Sequence, residues 1–149
     1  MKLQPGDIVE IESGAGLAYV QVTHNHASYP EVVRALPGLH AARPDNVARL
    51  AGMEGAFTAM LPLGAALEQG RIAGRRVATA AVPPSCRAFP TFRMPVRDRQ
   101  GNVAYWWLWD GEGLSHVSSL DDRQAALPLR EVMTVQAFLA NLAGTMANG

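Results

Sequence analysis

"GDIVEIESGAGLAYVQVTH", Gly6 to His24, decides the fold. From Asp7 to Glu12 the side chains alternate. Val9 and Ile11 fall on one face, and Ile8, Glu10 and Glu12 on the other, which is the period of a β-strand. "SGAG" (Ser13 to Gly16) supplies a turn, because glycine takes positive φ without steric cost. Leu17 to His24 is the return strand, so the unit is an antiparallel hairpin. On that strand Ala18, Val20 and Val22 share one face, with Tyr19, Gln21 and Thr23 on the other. His24 and His26 continue the Ala-Val-Val face. With a core on that side, both imidazoles lie at its rim, half buried.

Working outward, "ASYP" bends the chain into a third strand at about Glu31 to Leu36, ended by Pro37-Gly38. "RPDNVARLAG" (Arg43 to Gly52) predicts a short helix with proline near its first turn. "AFTAMLPL" (Ala56 to Leu63) reads as a strand, "LGAALEQG" as at most two helical turns closed by Gly70, and "RIAGRRVATAAV" as a further strand. "VPPSCRAFPTF", with Pro83, Pro84 and Pro90, is an extended connection. A meander follows: Thr91 to Val96, a turn at Gly101-Asn102, Val103 to Trp109, a turn at "DGEG", and Leu114 to Leu120. The end is helical, with Thr134 as cap and Val135, Phe138, Leu139 and Leu142 as one apolar stripe; the last five residues are expected to fray. The expected class is α+β, mostly β: a strongly bent antiparallel sheet or SH3-like barrel with short helices and a C-terminal helix.

The 149 residues predict one domain, 1–149, large enough to bury a core without staples. Lys plus Arg equal Asp plus Glu at 13 each, which argues against nonspecific nucleic-acid binding and against attraction to an acidic membrane surface. Cys86 is the only cysteine, so neither an intramolecular disulfide nor a thiolate cluster forms; it reads as a partly buried thiol. "MKLQPGDIVEI" carries no signal-peptide pattern, and no window approaches the roughly 20 apolar residues of a membrane helix. The expected location is the cytoplasm.

The motifs that carry chemistry are few. His24 and His26 at i, i+2 put two imidazoles on one strand face, but zinc wants at least three protein ligands and no HExxH or second cluster supports one. The simpler role is rim packing. In "YWWLWDG", Tyr105, Trp107 and Trp109 alternate with Trp106 and Leu108, so both faces are apolar. A central strand buried on both sides explains this; the alternative is an exposed aromatic face that meets a partner, since Trp and Tyr dominate interface hot spots. Glu10 and Glu12 read as a solvated strand edge, and Arg71, Arg75 and Arg76 as a solvated face. No GxSxG elbow, P-loop or GxGxxG is present.

Four stretches carry a resemblance. They are Gly6 to His40, "LPLGAAL" at Leu61 to Leu67, "FPTFRMPV" at Phe89 to Val96 and "YWWLWDG" at Tyr105 to Gly111. Together they resemble a group of small bacterial proteins that share G-D-I-x-E-I, T-H-x-H and W-x-L-W-D-G segments and have no assigned activity. Gly6 to Gln21 is also similar, more loosely, to immunity proteins of bacterial polymorphic toxin systems. There a small β-rich domain binds and neutralises its toxin. Many immunity proteins are markedly acidic, whereas this chain is neutral.

The resulting expectation is a bacterial binding protein of immunity type rather than an enzyme, with no cofactor and no metal ion. It would recognise a protein partner through loops and a sheet edge, and His24, His26, Tyr19, Tyr29, Arg34 and Trp106 are its candidate binding residues. Two alternatives stay open. One is a small enzyme or ligand-binding domain with His24 and His26 in a pocket lined by Tyr29 and Arg34. The other is a homodimerising structural unit with the aromatic strand as its interface.

Overall fold

The computed structural model describes residues 2–129 and 134–147. The hairpin forms as expected. β1 (Asp7–Ser13) pairs antiparallel with β2 (Gly16–His24), Val9 opposite Val20 and Ile11 opposite Ala18. Gly16 has φ +144 and lies against the carbonyl of His40, a close approach that a side chain would obstruct. β3 (Val32–Ala35) pairs with β2, and β4 (Thr58–Met60) with β3. β5 (Gly74–Thr79) returns to the free edge of β1. The sheet order is therefore β4-β3-β2-β1-β5, every neighbour antiparallel.

Both faces of this sheet are covered. Val9, Ile11, Ala18, Val20, Val22, Val33 and Ala35 point into the larger core with Leu61, Leu63 and Ile72. The helix α1 (Leu63–Glu68) and the C-terminal helix α3 (Val135–Ala147) contribute Ala66, Phe138 and Leu142 to it. Ile8 and Tyr19, on the opposite face, join Leu36, Val47, Leu50 and Ala51 in a second cluster. The short helix expected at Arg43 to Gly52 forms as a 3-10 helix over Val47–Gly52 only, and its Asn46 cap makes no side-chain hydrogen bond. At α3, Thr134 Oγ1 accepts from the Ala137 N–H, as its cap position predicts. The helix runs to Ala147; the last two residues of the expected frayed end lie outside the described residues.

Contacts divide the chain into two compact units, Met1–Arg87 with Val132–Gly149, and Ala88–Glu131. The boundary after Arg87 falls inside the proline-rich connection, where a 3-10 turn forms at Pro84–Cys86. The second unit is a three-stranded antiparallel meander, β6 (Phe92–Arg97), β7 (Val103–Trp109) and β8 (Leu114–Val117). A short helix, α2 (Asp122–Ala125), follows, closed at its start by a capping box between Asp121 and Gln124. The molecule is thus mostly β, with two antiparallel sheets and few helices. No described helix is long and apolar enough to cross a membrane.

Candidate functional site

β7 is central in the second sheet, yet it is not fully buried. Of its aromatic residues only Trp109 is buried; Tyr105, Trp106 and Trp107 are half-buried. Register fixes the faces. Met94 lies opposite Trp107 and Val96 opposite Tyr105 on one side, and His116 opposite Trp107 and Leu114 opposite Trp109 on the other. One face of the meander therefore carries Tyr105, Trp107, Trp109, Leu114 and His116. The Tyr105 ring packs against His116 with centroids 4.9 Å apart, and Trp107 meets His116 at 5.5 Å. Leu114, beside them, is 55% exposed. Trp106 lies on the opposite face, where the Arg93 guanidinium stacks over it at 5.2 Å. At the base of the strip Trp109, Phe89 and Phe92 cluster. The turn that joins β7 to β8 is held by Asp110, whose carboxylate accepts from the N–H groups of Glu112 (3.0 Å) and Gly113 (2.9 Å). Those donors, Gly113 foremost, hold the carboxyl below the usual carboxylate range.

The first unit offers a different feature, an open cleft of about 720 Å³ whose lining includes Lys2, Gln4, His26, Tyr29, Glu31 and Glu68. The His26 and Tyr29 rings meet edge to face at 4.9 Å. The Ser28 N–H donates to His26 Nδ1 at 3.0 Å, which puts the ring proton on Nε2 when the imidazole is neutral. Glu31 is engaged with the Gly64 N–H at 2.7 Å.

His24 and His26 are both half-buried, but they part company. The β2–β3 register breaks between Val22 and His24. His24 then turns to Thr23 Oγ1 (2.9 Å) and donates from Nε2 to the carbonyl of Arg87 (2.8 Å), while His26 faces the cleft. Arg34 joins neither. It is 3% exposed on the second core face, donating to Gln21 Oε1 (3.0 Å) and to the carbonyls of Met53 (2.9 Å) and Ala51. Burial pushes its guanidinium down from its ordinary value. Of the six candidates, then, only His26 and Tyr29 share a site.

Tyr19 is fully buried and belongs to a polar network that the sequence reading missed. Its hydroxyl donates to Glu10 Oε2 at 2.8 Å. Arg43 grips the same carboxylate with Nε at 2.7 Å and Nη2 at 3.1 Å, and Arg75 stands 3.9 Å away. Glu10, expected on a solvated edge, is 6% exposed, because the face it shares with Ile8 is covered by Val47 and Leu50. Glu12 is exposed. The Arg43 bond lowers the Glu10 pKa against the opposing effect of burial. Burial first, then the bonded carboxylate, raises the Tyr19 pKa to about 12. The signal available in the sequence was Tyr19 itself, a large residue at i, i+2 from Gln21 on a face judged polar. The partner Arg43 is 33 residues from Glu10 and gave none.

Among the described residues no three His, Cys, Asp or Glu side chains converge into a group able to hold a metal ion. Compared with protein-family models, curated proteins and solved structures, the chain matches none of them.

Proposed function

We propose that this chain is a bacterial protein-recognition domain of immunity type that acts by binding rather than by catalysis. The observation that carries the reading is the half-covered aromatic strip of β7 and β8, with Leu114 at 55% exposure beside Tyr105, Trp107 and His116. Aromatic rings set in a rigid sheet lose little conformational entropy on contact, and such residues dominate interface hot spots. The strand order of the first sheet, a four-strand meander with β5 added beside β1, supports an SH3-like reading of that unit. The buried polar side chains on the second face of β1, β2 and β3 are spent on structure: Glu10, Tyr19, Gln21 and Arg34 bond one another or buried backbone. That supports a scaffold whose recognition surface lies elsewhere.

The test is co-expression with the products of adjacent genes, followed by calorimetric titration of any complex. Leu114→Asp and His116→Asp should keep the far-UV circular dichroism of the folded chain, the second at some cost in melting temperature because His116 packs on Tyr105 and Trp107, and each should weaken the complex at least tenfold. Binding that survives both substitutions, or no complex with any neighbouring product, would overturn the proposal.

A further inference from the structure

Sheet edges are templates for another strand, and native proteins blunt them. In the first sheet β4 is three residues long with Met60 buried, and β5 carries Arg75 and Arg76 and a register break opposite Ile8 and Val9. In the second, β6 is closed twice over. The Arg93 N–H donates outward to the carbonyl of Pro128 at 2.9 Å, and two residues on, at the next outward position, Pro95 has no N–H to offer.

β8 has no such device. It reads Leu114-Ser115-His116-Val117, without charge, proline or bulge, and no described strand pairs with its far side. Two observations fix which backbone groups face outward. Arg93 points away from β7, so its partner Leu108 points toward β8; and Asp110 N donates to the carbonyl of Gly113 across the turn. In an antiparallel ladder bonded and non-bonded pairs alternate, so Leu108–Ser115 and Trp106–Val117 are bonded pairs. The N–H and C=O of Leu114 and His116 therefore project from the edge, and their side chains lie on the aromatic face.

Charge selects the occupant. From Val103 to Asp122 the chain holds Asp110, Glu112, Asp121 and Asp122 and no Lys or Arg, so exposed carboxylates flank β8 before and after. Of the described arginines of this unit, Arg93 and Arg97 are on β6, bonded to the carbonyls of Leu127 and Gly101, and Arg99 is in the turn between β6 and β7. Arg123 on α2 offsets one charge of the Asp121-Asp122 pair, which leaves four carboxylates against one arginine around β8. Antiparallel pairing of β8 with a second copy would set Asp110 and Glu112 of one chain along Ser118 to Asp122 of the other, carboxylate against carboxylate. Self-pairing is opposed and a basic strand is favoured.

We infer that the outer edge of β8 accepts an extended peptide segment of a protein partner, apolar at its centre and basic at its ends, as an added antiparallel or parallel strand. This rests on the reading of the chain as a recognition domain and names the chemistry of its partner. β8 spans roughly 13 Å at about 3.3 Å per residue, which suits a segment of about five to seven residues.

The probe is a labelled seven-residue peptide with lysine at both ends and alternating threonine and valine between, beside a matched peptide ending in glutamate. The lysine peptide should bind at least tenfold more tightly at low salt, lose that preference as salt is raised, and shift the amide resonances of Leu114 and His116. N-methylation of the peptide groups that face β8 should abolish binding without any change to the protein. Glu112→Lys combined with Asp122→Lys should reverse the charge preference. Equal binding of both peptides, shifts centred on β4 or β5, or an unchanged preference in the double variant would overturn the inference. If the peptides fail while a partner complex remains sensitive to Leu114→Asp, the edge inference falls alone; if that sensitivity is also absent, the recognition reading falls with it.

Discussion

Glu10 shows how one residue's role depends on what lies across the sheet. Its carboxylate is 6% exposed and is satisfied by Tyr19, Arg43 and Arg75. Its folded pKa lies below the ordinary 4.5, so ionised Glu10 stabilises the native state. That contribution is present above the unfolded value and is lost as pH falls through the folded one. Glu10→Gln keeps the shape but removes the charge from two arginines. It should cost about 1–3 kcal/mol near neutral pH, the range for a hydrogen bond to a charged group and its unsatisfied partners. Urea midpoints measured from about pH 6 down to about pH 3 should fall more steeply in the parent than in the variant. Equal slopes would remove Glu10 from the account. Tyr19 works in the opposite sense: its raised pKa favours the neutral phenol, so its contribution is lost as pH rises toward about 12. Among the residues singled out from the sequence, His26 and Tyr29 do meet, because only Ala27 and Ser28 separate them in a bend. His24 and Arg34 go elsewhere because a register break and a second buried face intervene, and neither is written in local alternation.

At the scale of elements, strands were more legible than helices. The spans β1, β2 and β7 follow from alternation between glycine-bearing turns. The helix read at Arg43 to Gly52 contracts to a 3-10 turn because its only firm anchors are Val47, Leu50 and Ala51, and its cap makes no side-chain bond. β5 depends on one small residue. A side chain at Gly74 would run into the carbonyl oxygen of Glu10 on β1, and backbone cannot yield as a flexible side chain can. Gly74→Ala should therefore push β5 away from β1, at about 1–3 kcal/mol by the cost of overpacking. Hydrogen exchange at the Glu12 N–H, bonded across to the Ala73 carbonyl, should accelerate, and unchanged protection there would refute the strain argument. The Pro95 of β6, which reads as a strand breaker, is tolerated because it faces outward on an edge.

At the scale of the molecule, the first unit is closed by its C-terminal helix. Phe138 and Leu142 are fully buried, and the Phe57 and Phe138 rings meet at 6.2 Å. Phe138→Ala should cost about 3–5 kcal/mol, and chemical denaturation followed by far-UV circular dichroism would measure it. A loss under about 1 kcal/mol would mean that the helix contributes little to this core. The sequence by itself determined the opening hairpin, the aromatic strand, the C-terminal stripe and the mostly β class, because these rest on the period of side chains along a few residues. The tertiary structure alone decided that both faces of β1 and β2 are covered, that Glu10 is buried, that the chain divides at Arg87, and that no described strand pairs with the outer edge of β8. Each of these depends on which distant segment arrives beside a strand, and alternation within a segment carries no record of its neighbour.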